Sequence, residues 1–177
     1  MRGYAEQHKI SGEKWQRRGV VNLGTTDVTL TIYIEGKGTV LKESPLMALD
    51  AGSGKILAFG AESEIVAENS AKGVEVVAPL TGGKISNYNV AVKLFLCLLH
   101  KAGVKGTLFH KPQIAVSVPK ELTDVEKKAF EDAMYQAGAG KVFISEMGIE
   151  ELAISLRQNS DKALKGFGTI VGITKNE

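Results

Sequence analysis

The sequence predicts an α/β fold, a mixed sheet carrying helices, and three observations predict it. Short β-branched runs separated by tight turns open the chain, and strand-like and helix-like patterns then alternate. The two longest helical patterns stop at Gly103 and Gly138. Hairpin-linked strands pair antiparallel and strand–helix–strand units pair parallel, so the sheet combines both.

The first element is the stretch Val20 to Glu43. Val20 and Val21 run into the small, hydroxyl-rich turn Gly24-Thr25-Thr26-Asp27, and the alternating residues Val28, Leu30, Ile32 and Ile34 leave it, which reads as strand, turn, strand. A second turn at Gly36 to Gly38 leads to a third strand. The N–H groups and paired hydroxyls of the first turn form a concavity suited to anionic oxygens. A purely structural hairpin, with glycine supplying positive φ and threonines filling a strand, accounts for the same residues.

Leu46 to Asp50 and Ile56 to Phe59 flank Ala51-Gly52-Ser53-Gly54 as a second hairpin, followed by a short helix over 61–68 and a strand over 74–78. Residues 46–80 thus form a small β-rich excursion inserted in a domain spanning 19–177, with 1–18 a solvated tail. Asn89 stands as the N-cap of an apolar helix ending at Gly103, and Gln113 to Val118 is a β-branched strand. Helix 124–137 places Val125, Ala129, Ala133, Met134 and Ala137 on one face. A strand over 142–145, a helix over 149–157 and a last apolar strand over 169–174 complete the order. Residues 156–166 read as a polar, mobile connection, so the last strand either folds back on its own sheet or pairs with a second copy as a dimer.

Composition narrows the functions. Lys and Arg total 22 against 20 Asp and Glu, with no basic block interleaved with aromatics, so nucleic acid is not an expected partner. His8, His100 and His110 lack metal-ligand spacing, and no metal site built from side chains alone is expected. The single cysteine, Cys97, sits in an apolar run as a small core residue. The polar first residues and the short apolar runs predict a cytoplasmic protein, although Trp15 among Lys14, Arg17 and Arg18 could touch an anionic membrane surface or a partner.

A family resemblance emerges from the motifs taken together. Asn22-Leu23-Gly24-Thr25, Gly36-Lys37-Gly38 with Val40-Leu41-Lys42-Glu43, DAGSGKILAFG from Asp50, VVAPLTGGKISNYNV from Val77, and TDVEKKA from Thr123 resemble, in the same order, the bacterial actin MreB. The resemblance implies the actin and Hsp70 type of fold, a ribonuclease-H-like sheet with 46–80 as its small subdomain. It also implies ATP-dependent filament assembly in cell-shape determination, with a phosphate loop at Asn22, Leu23, Gly24, Thr25 and Thr26 and a water-positioning carboxylate at Glu126.

Departures from the family temper the activity. Asn22 stands where the family has the aspartate that organises magnesium, and the family's second phosphate-binding hairpin has no counterpart. Thr123-Asp124-Val125-Glu126 is itself a capping box, a structural role for Glu126 without catalysis. The expectation is a degenerate, truncated actin-like module that binds another copy, another actin-like protein or a cell-envelope protein without hydrolysing ATP, any binding of ATP with magnesium being weak or absent. The alternative is an ATP-binding ATPase completed by another chain or by a missing C-terminal half.

Overall fold

The computed structural model describes residues 26–70 and 73–177. Its strands are β1 (Val28–Ile34), β2 (Gly38–Glu43), β3 (Met47–Asp50), β4 (Ile56–Phe59), β5 (Val74–Val77), β6 (Leu80–Thr81), β7 (Lys84–Ile85), β8 (Gln113–Ser117), β9 (Lys141–Ser145) and β10 (Thr169–Lys175). Its helices are α1 (Glu62–Asn69), α2 (Tyr88–Lys101), α3 (Asp124–Gln136) and α4 (Ile149–Gln158), with a 3-10 turn at Lys162–Leu164.

Five strands form the main sheet in the order β2-β1-β10-β8-β9. The β1–β2 hairpin turns through Gly36 and Gly38, both at positive φ, where side chains with a Cβ are strained. β10 lies antiparallel to β1 and parallel to β8, and β9 is parallel to β8, so the sheet is mixed as the hairpin and alternation patterns require.

Helices α2 and α3 cover one face of this sheet. Val90, Leu94, Phe95 and Leu98 of α2 and Phe130, Ala133 and Met134 of α3 are buried with Leu30, Ile32, Val116, Val171 and Ile173. The other face carries α4, whose Leu152, Ala153 and Leu156 pack with Ala115 and Ile170. Both faces are therefore sealed where the parallel strands run.

β3, β4 and β5 form a separate sheet in the order β4-β3-β5, with α1 against it. Glu43, at the end of β2, ties it to the main body. Its carboxylate accepts from Ala61 N (3.2 Å) and pairs with Lys101 Nζ of α2 (2.7 Å). Lys101 also lies 5.2 Å from the Phe59 ring centroid, and Gly60 turns at φ +68° with no room for a Cβ beside the Glu43 carboxylate.

Several expectations need correction. The N-cap of α2 is Asn87, whose Oδ1 accepts from Val90 N (3.2 Å), rather than Asn89, because Tyr88 and Asn89 already belong to the first turn. Val125 does not join the buried face of α3 and is 80% exposed. It precedes Phe130 by five residues, about 140° round a helix of 3.6 residues per turn. The stretch 156–166 is no free connection, because Leu156 and Leu164, with Phe167 just beyond, are buried against the α4 face. β10 is paired on both sides inside its own sheet and presents no edge, so the fold-back arrangement is the one formed. The expected strand at Val20 and Val21 lies outside the described residues.

Candidate functional site

The carboxyl ends of parallel strands in an open α/β sheet are where loops converge and ligands bind. At that end of the main sheet the C-termini of β8 and β10 meet the start of β1, the β6–β7 turn and the N-terminus of α3. Asn176 fastens the start of β1. Its Nδ2 donates to the Thr26 carbonyl (2.7 Å), its N to the Asp27 carbonyl (2.8 Å), and its Oδ1 accepts from Thr29 Oγ1 (2.7 Å).

Asp27 in turn holds the β6–β7 turn, because its Oδ2 accepts from Gly82 N (2.6 Å). The next residue, Gly83, has φ +76°, and a Cβ there would stand 2.7 Å from Pro119 Cγ, so only glycine fits between the turn and the β8 loop. This brings Lys84 to the N-terminus of α3, where its Nζ lies 2.8 Å from Glu126 Oε1.

Glu126 is committed on both oxygens. Oε2 accepts from Thr123 N (2.8 Å) while Thr123 Oγ1 accepts from Glu126 N (3.3 Å), so the capping box is formed. The Lys84 ammonium, and after it the Thr123 N–H, lower the Glu126 pKa from 4.5 to about 2. Nearby, Lys127 pairs with Glu146 (2.5 Å), fixing α3 to the loop after β9 and raising the lysine's pKa.

The structure thus places Thr26 and Glu126 at the same end of the sheet, joined through Asp27, Gly82 and Lys84. Asn22, Leu23, Gly24 and Thr25 lie outside the described residues. Sequence reading missed Lys84, whose partner is 42 positions away along the chain (126 − 84). Among the described residues no group of three His, Cys, Asp or Glu side chains could hold a metal. Cys97 is half-buried, and burial raises its pKa.

Glu126→Gln should leave stability nearly unchanged, because glutamine also serves at this capping position, whereas Thr123→Ala should cost about 1 kcal/mol. Denaturant midpoints of the two variants check this. The folded-state pKa of Glu126 lies below its ordinary value, so its contribution is complete above about pH 4.5 and fades as pH falls toward 2. Over that window the wild-type midpoint should fall relative to that of Glu126→Gln, which has no carboxylate to titrate at this position.

A second surface lies at the opposite end of α2. Thr107 N donates to the His110 carbonyl (2.7 Å) and His110 N to Thr107 Oγ1 (3.0 Å), closing a turn that lifts Leu108 and Phe109 out of the fold. They are 89% and 87% exposed. A hollow of about 360 Å³ beside the turn is lined in part by His100, Lys105 and Lys111. The sequence signal was present but unread: two adjacent large apolar residues between Gly106 and Pro112, flanked by cations.

A family model described as MreB/Mbl protein matches residues 17–155. The cell shape-determining protein Mbl of Bacillus subtilis (strain 168) is 35% identical over 126 residues, covering 71% of this chain and 37% of that protein. The cell shape-determining protein MreB of Escherichia coli (strain K12) is 28% identical over 130 residues, again 71% of this chain and 37% of the relative. This chain matches little more than a third of their length. Among solved structures, MreB5 of Spiroplasma citri bound to ADP superposes with a TM-score of 0.57 at 23% identity, covering 68% of this chain and 36% of that one. The AMPPNP-bound form of the same protein gives 0.55 at 22% identity. The fold is therefore that of the actin-like proteins, as the resemblance implied.

Proposed function

Given that the chain belongs to the MreB/Mbl family, we propose that it serves in cell-shape determination as an actin-like binding module rather than as an ATPase. Its partners are a second copy or another actin-like chain, with Leu108 and Phe109 as its contact to the cytoplasmic surface of a membrane.

The state of Glu126 carries this reading. Hydrolysis of a phosphoanhydride needs a group that orients the attacking water in line with the phosphorus and helps take its proton. A carboxylate with a pKa of about 2 is a weak base, and both of its oxygens are held by Thr123 and Lys84. Asn22, which lies outside the described residues, also carries no charge where the resembled family has the aspartate that organises magnesium.

The purified protein is expected to release no phosphate from ATP above background. Steady turnover that disappears in a folded Glu126→Ala variant would overturn the proposal. A magnesium-dependent heat of ATP binding by calorimetry would instead favour a nucleotide site completed by another chain.

A further inference from the structure

The main sheet ends in β2 on one side and β9 on the other, and the two ends are built differently. β2 has a register shift against β1 and an exposed lysine, Lys42, both of which discourage pairing with another chain. β9 pairs with β8 in unbroken register and carries Val142, Phe143 and Ile144 in succession, with no proline and no bulge. Among the described residues no strand pairs with its outer flank. We propose that a second copy of the chain attaches here, its β9 lying antiparallel to the first. The proposal rests on the reading above that a second copy is a partner, and it names the surface.

The hydrogen-bonding groups of the strand fix the register. Val118 N donates to the Ser145 carbonyl (2.9 Å), so Ser145, and by alternation Phe143, turn their N–H and C=O groups toward β8. Those of Val142 and Ile144 point the other way. A two-fold axis at Phe143 sets Val142 of each copy opposite Ile144 of the other, where the two residues exchange both N–H···O=C bonds. Every outward group of Val142 and Ile144 is then satisfied. An axis at Val142 or at Ile144 would instead pair one of them with a residue outside the strand, Gly140 or Glu146.

Side chains and charges agree with that register. Val142 and Ile144 lie on the face covered by α2 and α3, and Phe143 lies on the α4 face. Paired in this way, the apolar residues of each copy continue the same face of the other's sheet. The two Phe143 side chains meet at the axis in a non-hydrogen-bonded pair, where opposed residues come closest. The strand also has opposite charges at its ends, the exposed Lys141 at its start and Glu146 just past its finish. Antiparallel pairing brings each lysine toward the other copy's glutamate, whereas parallel pairing would set like charges together.

Amide hydrogen exchange of the full chain reads the contact directly. The Val142 and Ile144 amides should exchange about tenfold more slowly in concentrated than in dilute solution, while the Phe143 amide, bonded to β8, changes little. Sedimentation equilibrium supplies the second measurement. Val142→Pro removes an N–H that faces away from β8, so it leaves the ladder of the single chain intact and should raise the dimer Kd at least about tenfold. Lys141→Glu changes an exposed residue, tests the contact without touching the fold, and should raise the Kd severalfold at low salt and less at high salt. A dimer whose Kd is the same in both variants as in wild type, or Val142 and Ile144 amides that exchange at one rate at all concentrations of a chain that does dimerise, overturns this contact and leaves the second copy as a partner elsewhere. A chain that stays monomeric at every concentration overturns the contact and removes the second copy as a partner as well.

Discussion

Phe130→Ala is expected to lower stability by about 3–5 kcal/mol, the cost of emptying a fully enclosed aromatic site. Phe130 is fully buried, and its ring centroid lies 6.2 Å from that of Phe95 at an interplanar angle of 49°. It is the residue through which α3 meets α2 above the sheet, with Val116 and Val171 in the same cluster. The cavity cannot be refilled by a local shift, because Phe95 and Met134 are themselves fully enclosed. A domain of ordinary stability, about 5–15 kcal/mol, would be left marginal or unfolded at 25 °C. Urea denaturation followed by far-UV circular dichroism checks this, and a loss below 1 kcal/mol would show that the core relaxes around the gap.

The second large effect concerns binding. Leu108→Asp/Phe109→Asp should lower affinity for anionic lipid vesicles by at least a hundredfold, since burying each side chain is worth about 1.5–3 kcal/mol. Stability should not change, because both side chains are already in water in the isolated chain. Lys105 and Lys111 beside them add an attraction to anionic headgroups that salt screens. Residual binding of the variant should therefore fall further as salt is raised. Vesicle co-sedimentation reads both effects, and undiminished binding by the double variant would remove this turn as the contact.

What the sequence disclosed followed from how local each signal is. The capping box at Thr123 and Glu126 was legible because its partners are three residues apart, and the β1–β2 hairpin because Gly36 and Gly38 mark its turn. The N-cap of α2 was misplaced because polar residues precede the apolar run at both 87 and 89. The helix begins at Tyr88, before that run, with Asn87 as its cap. Val125 misled because its apolar side chain faces water, which composition does not reveal. The place of β10 and the Lys84–Glu126 pair were beyond reach for one reason: both join segments far apart in the chain, and no local pattern encodes such a meeting. The first-turn residues Asn22 to Thr25 were nominated from the sequence and lie outside the described residues. Thr26 alone of that group can be placed, at the end of the sheet where Glu126 also lies.

The contact between Glu43 and Gly60 constrains how the sequence can drift. While residue 43 is a glutamate held by Lys101 and Ala61 N, any side chain at 60 collides with its carboxylate, so the two positions are not free to vary separately. Shortening residue 43 removes the collision but not the backbone requirement, since φ at 60 is +68°. In a lineage that loses the glutamate, position 60 can therefore pass to asparagine or aspartate, which tolerate that conformation, but not to a β-branched residue. A change at 43 also takes from Lys101 its paired carboxylate and leaves it the Phe59 ring.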